Sequence, residues 1–129
     1  HPVHNPATGD AVAEVPLATE ADLDEALAAA ERGFALWRAT DVEARGAVLH
    51  KAADLLRERS ERIATLLTLE QGKPLVEARG EVAAAAQLFD YYAEEAKRAY
   101  GRVLVRPTGQ RSMVLRQPVG PVASLTPWN

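Results

Sequence analysis

The group best suited to chemistry is the side-chain amide of the last residue, Asn129, which follows Thr126, Pro127 and Trp128. An amide N–H can donate to an oxygen that gains negative charge, and a donor of this kind is worth about 2.7–4 kcal/mol of barrier. Pro127 has no N–H and disfavours a helical Thr126, so the chain leaves this point extended. With no cysteine in the sequence, this chain holds no thiolate nucleophile, disulfide or thiolate metal site. His1, His4 and His50 lack metal-ligand spacing, and His50 falls on the polar side of a helix, so no metal site is expected. Glu94 and Glu95 are adjacent; on a helix they diverge and cannot work as an acid/base pair. Lys73 beside Gly72 looks like an anion site. A helix end accounts for both, with Gly72 as a left-handed cap and Lys73 facing the carbonyl end.

The elements that would position Asn129 start from its own approach. Gln117, Pro118, Gly120 and Pro121 form a turn, and Val122, Ala123, Ser124 and Leu125 a short apolar run that reads as a buried strand. Ligands of open α/β sheets sit just past the carboxyl ends of such strands. A single strand cannot bury itself, so the chain reads as the opening of a larger protein.

Upstream the pattern is helical. A turn over Asn5, Pro6, Thr8 and Gly9 separates two short strands. Thr19 with Asp22, and Thr40 with Glu43, predict capping boxes. Behind the first, Leu23, Leu27, Ala30, Phe34 and Trp37 form one stripe, which makes Trp37 a packing residue. The second helix carries Val48, Leu49, Ala52, Leu55 and Leu56 on one side, and the third turns Ile63, Leu66 and Leu67 inward. A fourth starts at Pro74 and runs from Leu75 to Tyr100 before Gly101, with an alanine-rich middle suited to close packing. From Arg102 the period becomes β-type. Val103 to Val105 and Ser112 to Leu115 flank Pro107 and Gly109, predicting a ribbon that needs a partner surface.

A formal net charge of −3 asks for neither nucleic acid nor an anionic membrane. No apolar run is long enough to span a bilayer. The first residues lack a signal-peptide layout, so the cytoplasm is the expected compartment. Patterning alone leaves two readings open: part of an enzyme, or a non-catalytic helical interaction module whose ribbon docks a partner.

Several stretches together resemble the aldehyde dehydrogenase superfamily. They are Asn5-Pro-Ala-Thr-Gly9, Leu69-Glu-Gln-Gly-Lys-Pro-Leu75, Glu77-Ala-Arg-Gly-Glu81, Tyr91-Tyr-Ala-Glu-Glu-Ala-Lys-Arg98 with Gly101, and Arg116-Gln-Pro-Val-Gly120 leading to Thr126-Pro-Trp-Asn129. The residues around Gly72 and Glu94 are most similar to the succinate-semialdehyde dehydrogenase branch. The resemblance implies an α/β, Rossmann-like fold, of which this chain supplies the N-terminal helices, a β-ribbon and the first sheet strand as a fragment of a larger chain. It divides the sequence into residues 1–101 of the NAD(P)-binding domain, a ribbon over 102–117 that makes a homodimer or homotetramer, and the start of the nucleotide-binding sheet over 118–129. It implies NAD or NADP as cofactor and a small-molecule aldehyde as substrate. Thr126, Pro127 and Trp128 would line the nicotinamide-ribose side, and Asn129 would bind the aldehyde oxygen there. Gly80 and Ala84 would border the substrate tunnel. The family's chemistry uses a cysteine thiolate and a glutamate base, neither of which this chain supplies, so these 129 residues alone are expected to be inactive.

Overall fold

The computed structural model describes residues 1–127. The chain opens with an antiparallel pair, β1 (Pro2–His4) and β2 (Ala11–Glu14). Their connection is built by local hydrogen bonds: the Asn5 side chain accepts from the Ala7 N–H at 2.9 Å and its carbonyl from the Gly9 N–H at 2.8 Å. The expected hairpin is therefore present.

Helix α1 (Glu20–Ala39) begins at the predicted capping box. The Asp22 carboxylate accepts from the Thr19 N–H at 2.8 Å, and the Thr19 hydroxyl accepts from the Asp22 N–H at 3.3 Å. The bond from the Thr19 N–H, and then the Thr19 hydroxyl donating to the same carboxylate at 2.7 Å, hold the Asp22 carboxyl below its usual range. The second box is displaced by one residue. Thr40 closes α1 instead, donating its hydroxyl to the Leu36 carbonyl at 2.8 Å. Asp41 becomes the N-cap of α2 (Val42–Glu58), accepting from the Glu43 N–H at 3.4 Å.

Helix α3 (Ser60–Gln71) stops at Gly72, whose φ of 78° gives the left-handed cap that the sequence predicts. A Cβ at Gly72 would also stand 2.8 Å from the Pro6 ring, so the cap doubles as the seat of the first turn. Pro74 is the N-cap of α4 (Leu75–Glu95), one residue before the expected place. The helix ends short of Tyr100: at Ala96–Arg98 it tightens into one 3₁₀ turn, where Lys97 and Arg98 reach back to Glu94 and Glu95. The ribbon follows as β3 (Arg102–Leu104) and β4 (Ser112–Val114), antiparallel.

The main interface is α2 on α4, with α3 on α4 second. Its buried residues are small: Ala53, Ala64, Ala78, Ala86 and Ala93, with Val82 the largest, beside the buried Gly46. Close packing through alanine is thus real, although only Ala86 of Ala83 to Ala86 is buried.

Other expectations are corrected. The α1 stripe is not buried: Leu23, Leu27 and Trp37 are exposed and Phe34 half-buried, because among the described residues no other element packs extensively on that helix. On α2 the buried positions are Gly46 and Ala53, while Val48 is exposed. Leu66 of α3 also faces outward; Ile63 and Leu67 do pack. The run over 122–125 forms no strand, and its Val122 and Leu125 are 76% and 99% exposed. A strand needs a ladder partner, and each two-stranded sheet here pairs only within itself.

Candidate functional site

The predicted site residues do not converge among the described residues. Thr126 and Pro127 lie in exposed, irregular backbone, and Trp128 and Asn129 fall outside the described residues. The exposed backbone at Thr126 and Pro127 encloses nothing by itself. Gly80 and Ala84 lie one turn apart on the exposed face of α4, opposite the buried Ala78, Val82 and Ala86. A Cβ added at Gly80 meets no atom within 4 Å, so no tunnel wall faces it here.

What the fold does assemble is a polar seam between α2 and α4. His50 of α2 stands between two carboxylates of α4, with Nδ1 2.7 Å from Asp90 Oδ1 and Nε2 3.1 Å from Glu94 Oε1. Asp90 also takes a short hydrogen bond from Arg57. Glu94 accepts from Lys97 at 3.1 Å, and Lys97 in turn lies 3.3 Å from Glu43. Hydrogen bonds to Asp90 and then Glu94 raise the pKa of His50. The same network lowers Asp90, through Arg57 and then His50, and Glu94, through His50 and then Lys97. Chemically the seam is a tie: it contains no nucleophile. No group of three His, Asp or Glu side chains able to hold a metal gathers among the described residues.

Sequence reasoning placed His50 on a polar face without a partner. The available signal was periodic. His50 and Arg57 are two turns apart on α2, and Asp90, Glu94 and Lys97 follow at four- and three-residue steps. The divergence expected of Glu94 and Glu95 is seen, since Glu95 pairs with Arg98 at 2.8 Å instead. Lys73 does not face the carbonyl end of α3; it pairs with Glu81 of α4.

The order of hairpin, helices and ribbon is one found in known α/β proteins. The aldehyde dehydrogenase family model matches residues 1–129. A 4-(hydroxymethyl)benzenesulfonate dehydrogenase of Comamonas testosteroni is 51% identical over 98% of this chain and 27% of its own length. The mitochondrial succinate-semialdehyde dehydrogenase of Arabidopsis thaliana is 44% identical over 98% of this chain and 24% of its own. Among solved structures, an NADP-dependent enzyme of E. coli superposes with a TM-score of 0.95 at 40% identity, covering 98% of this chain and 27% of that one. The succinate-semialdehyde dehydrogenase of Burkholderia pseudomallei does so with a TM-score of 0.89 at 40% identity, covering 93% and 25%. This chain belongs to the aldehyde dehydrogenase family. It spans about a quarter of the length of these relatives.

Proposed function

We propose that these residues serve as the N-terminal part of an NAD(P)+-dependent enzyme that oxidises a small aldehyde to the carboxylic acid. The observation that carries this reading is the family match along the whole of residues 1–129. Residues 1–101 contribute to the cofactor domain, 102–117 to a ribbon that joins subunits, and 118–129 to the approach to the nicotinamide. The ribbon's exposed Val103, Val105 and Met113 support a role in assembly.

The relatives' names point to the substrate class. They include dehydrogenases of succinate semialdehyde, glutarate semialdehyde, 3-sulfolactaldehyde and 4-(hydroxymethyl)benzenesulfonate. Each of these compounds carries a carboxylate or sulfonate away from the reacting carbon. The substrate proposed here is an aldehyde with a remote anionic group, succinate semialdehyde first among them.

In this reading the Asn129 amide N–H donates to the aldehyde oxygen as a thiolate adds to the carbonyl carbon, stabilising the developing oxyanion. The thiolate comes from residues beyond these 129, since no cysteine is present. Thr126, Pro127 and Trp128 hold the nicotinamide-ribose side through backbone atoms. The nicotinamide, when bound, supplies the hydride acceptor.

The test is a panel of succinate semialdehyde, glutarate semialdehyde and butanal against NAD+ and NADP+, run on wild type and Asn129→Ala. Wild type is expected to prefer the anionic aldehydes. The variant is expected to lose about 10²–10³-fold in acylation rate, with cofactor affinity unchanged. Equal use of butanal removes the substrate assignment, and an unaltered rate in Asn129→Ala removes the oxyanion role.

A further inference from the structure

The helical block and the ribbon meet at a junction crowded with arginine, which is unexpected in a chain of net charge −3. Two cavities open there. One, of about 480 Å³, is walled by Trp37 and Arg38 at the end of α1, Arg45 of α2, and Arg116 and Gln117 after β4. The other, of about 450 Å³, lies against the ribbon and is lined by Arg98, Tyr100, Arg102 and Arg116. Arg116 borders both, and no carboxylate residue lines either.

Two of these cations are already engaged. Arg45 donates to the Thr40 carbonyl at 2.7 Å and the Trp37 carbonyl at 3.3 Å, which fixes the first cavity's wall. Arg98 pairs with Glu95 at 2.8 Å. The guanidinium groups of Arg38, Arg102 and Arg116 make no hydrogen bond or ion pair with any described residue. Unpaired guanidiniums gathered around one cavity repel one another, and an anion between them relieves that repulsion. Their planar, forked donors match the oxygens of a phosphoryl group.

We propose that this junction is a binding site for a phosphoryl dianion, held by Arg38 and Arg116 against the Trp37 wall. Neither Thr126 nor Pro127 lines the site, which does not depend on the aldehyde chemistry. Its recognition element is the phosphoryl group itself, whether free or esterified to a small molecule.

Calorimetric titration of the purified whole enzyme of which these residues are proposed to be part, with inorganic phosphate and with glycerol 3-phosphate at ionic strength matched with sodium chloride, distinguishes the sources. Saturable binding is expected, weakened at least tenfold in Arg38→Gln and in Arg116→Gln, and weakened again by added salt. Arg38 is exposed and unpartnered, so Arg38→Gln tests the site even if Arg116→Gln perturbs the fold. Binding of both ligands assigns the site to the phosphoryl group; binding of glycerol 3-phosphate alone assigns it to phosphate esters. Heats no greater than the chloride control, or wild-type affinity in Arg38→Gln, overturn the proposal.

Discussion

At Gly46 the helix approaches its neighbour closely enough for glycine to be buried, yet not so closely that glycine is required. A Cβ there would lie 3.5 Å from the Ala93 carbonyl oxygen and 3.9 Å from Lys97 Cε, which is ordinary contact. Glycine inside a helix costs about 0.5–1 kcal/mol relative to alanine through the freedom it loses on folding. Gly46→Ala is therefore expected to stabilise the protein by about that amount. A denaturant midpoint that falls instead would show that the α2–α4 approach cannot give at all. Gly101 is the opposite case, since a Cβ there would run into the Val114 carbonyl of the ribbon. The sequence offered Gly101 as a helix stop, but the helix has already ended at Glu95. Its neighbour is thirteen residues away, and no local pattern announces such a contact. Gly72 was legible because a left-handed cap followed by proline is decided within a few residues.

Among elements, α2 and α4 are joined twice, by small-residue packing and by the seam around His50. The seam makes their union depend on pH in a definite direction. His50 has its pKa raised by Asp90 and Glu94, so its contribution is complete below its ordinary value of 6.5 and fades as pH rises through the folded value. Asp90 and Glu94 have theirs lowered, so their contributions are complete above 3.8 and 4.5 and fade as pH falls through the folded values. Arg57 and Lys97 face the same carboxylates and stay charged throughout this range. The stability difference between wild type and His50→Gln is expected to be greatest between pH 4.5 and 6.5 and to shrink on both sides. A difference that stays flat from acid to neutral would mean that the seam carries no charge interaction. The partners of His50 lie 40 and 44 residues further on, which is why the sequence showed a polar face and no partner. Capping was easier to read: the Thr19 box is local and correct. The Thr40 box slid by one because Thr40 had a second use in closing α1.

For the whole molecule, the balance between what is apolar and what is covered decides the reading. No side chain larger than valine is buried among the described residues; the α1 stripe and the run over 122–125 face largely outward, while the α2 stripe is half-buried apart from the exposed Val48. Periodicity identified those stripes as apolar faces; it could not say whether another element covers them. The run over 122–125 likewise finds no ladder partner among the described residues, so it forms no strand, and Thr126 and Pro127 stand open rather than lining a pocket. Burial in this chain rests on alanines and Val82 where α2 and α3 pack on α4, and small buried surfaces leave little to offset the entropy of ordering the chain. Residues 1–129 expressed alone are therefore expected to bind an apolar fluorescent dye strongly, to self-associate during sedimentation, and to unfold without a sharp transition. A dye-silent monomer with a single cooperative transition would mean that Leu23, Leu27, Val48 and Leu125 need no covering layer. The exposed stripes would then be ordinary surface, and the support they lend to the enzyme reading would be gone.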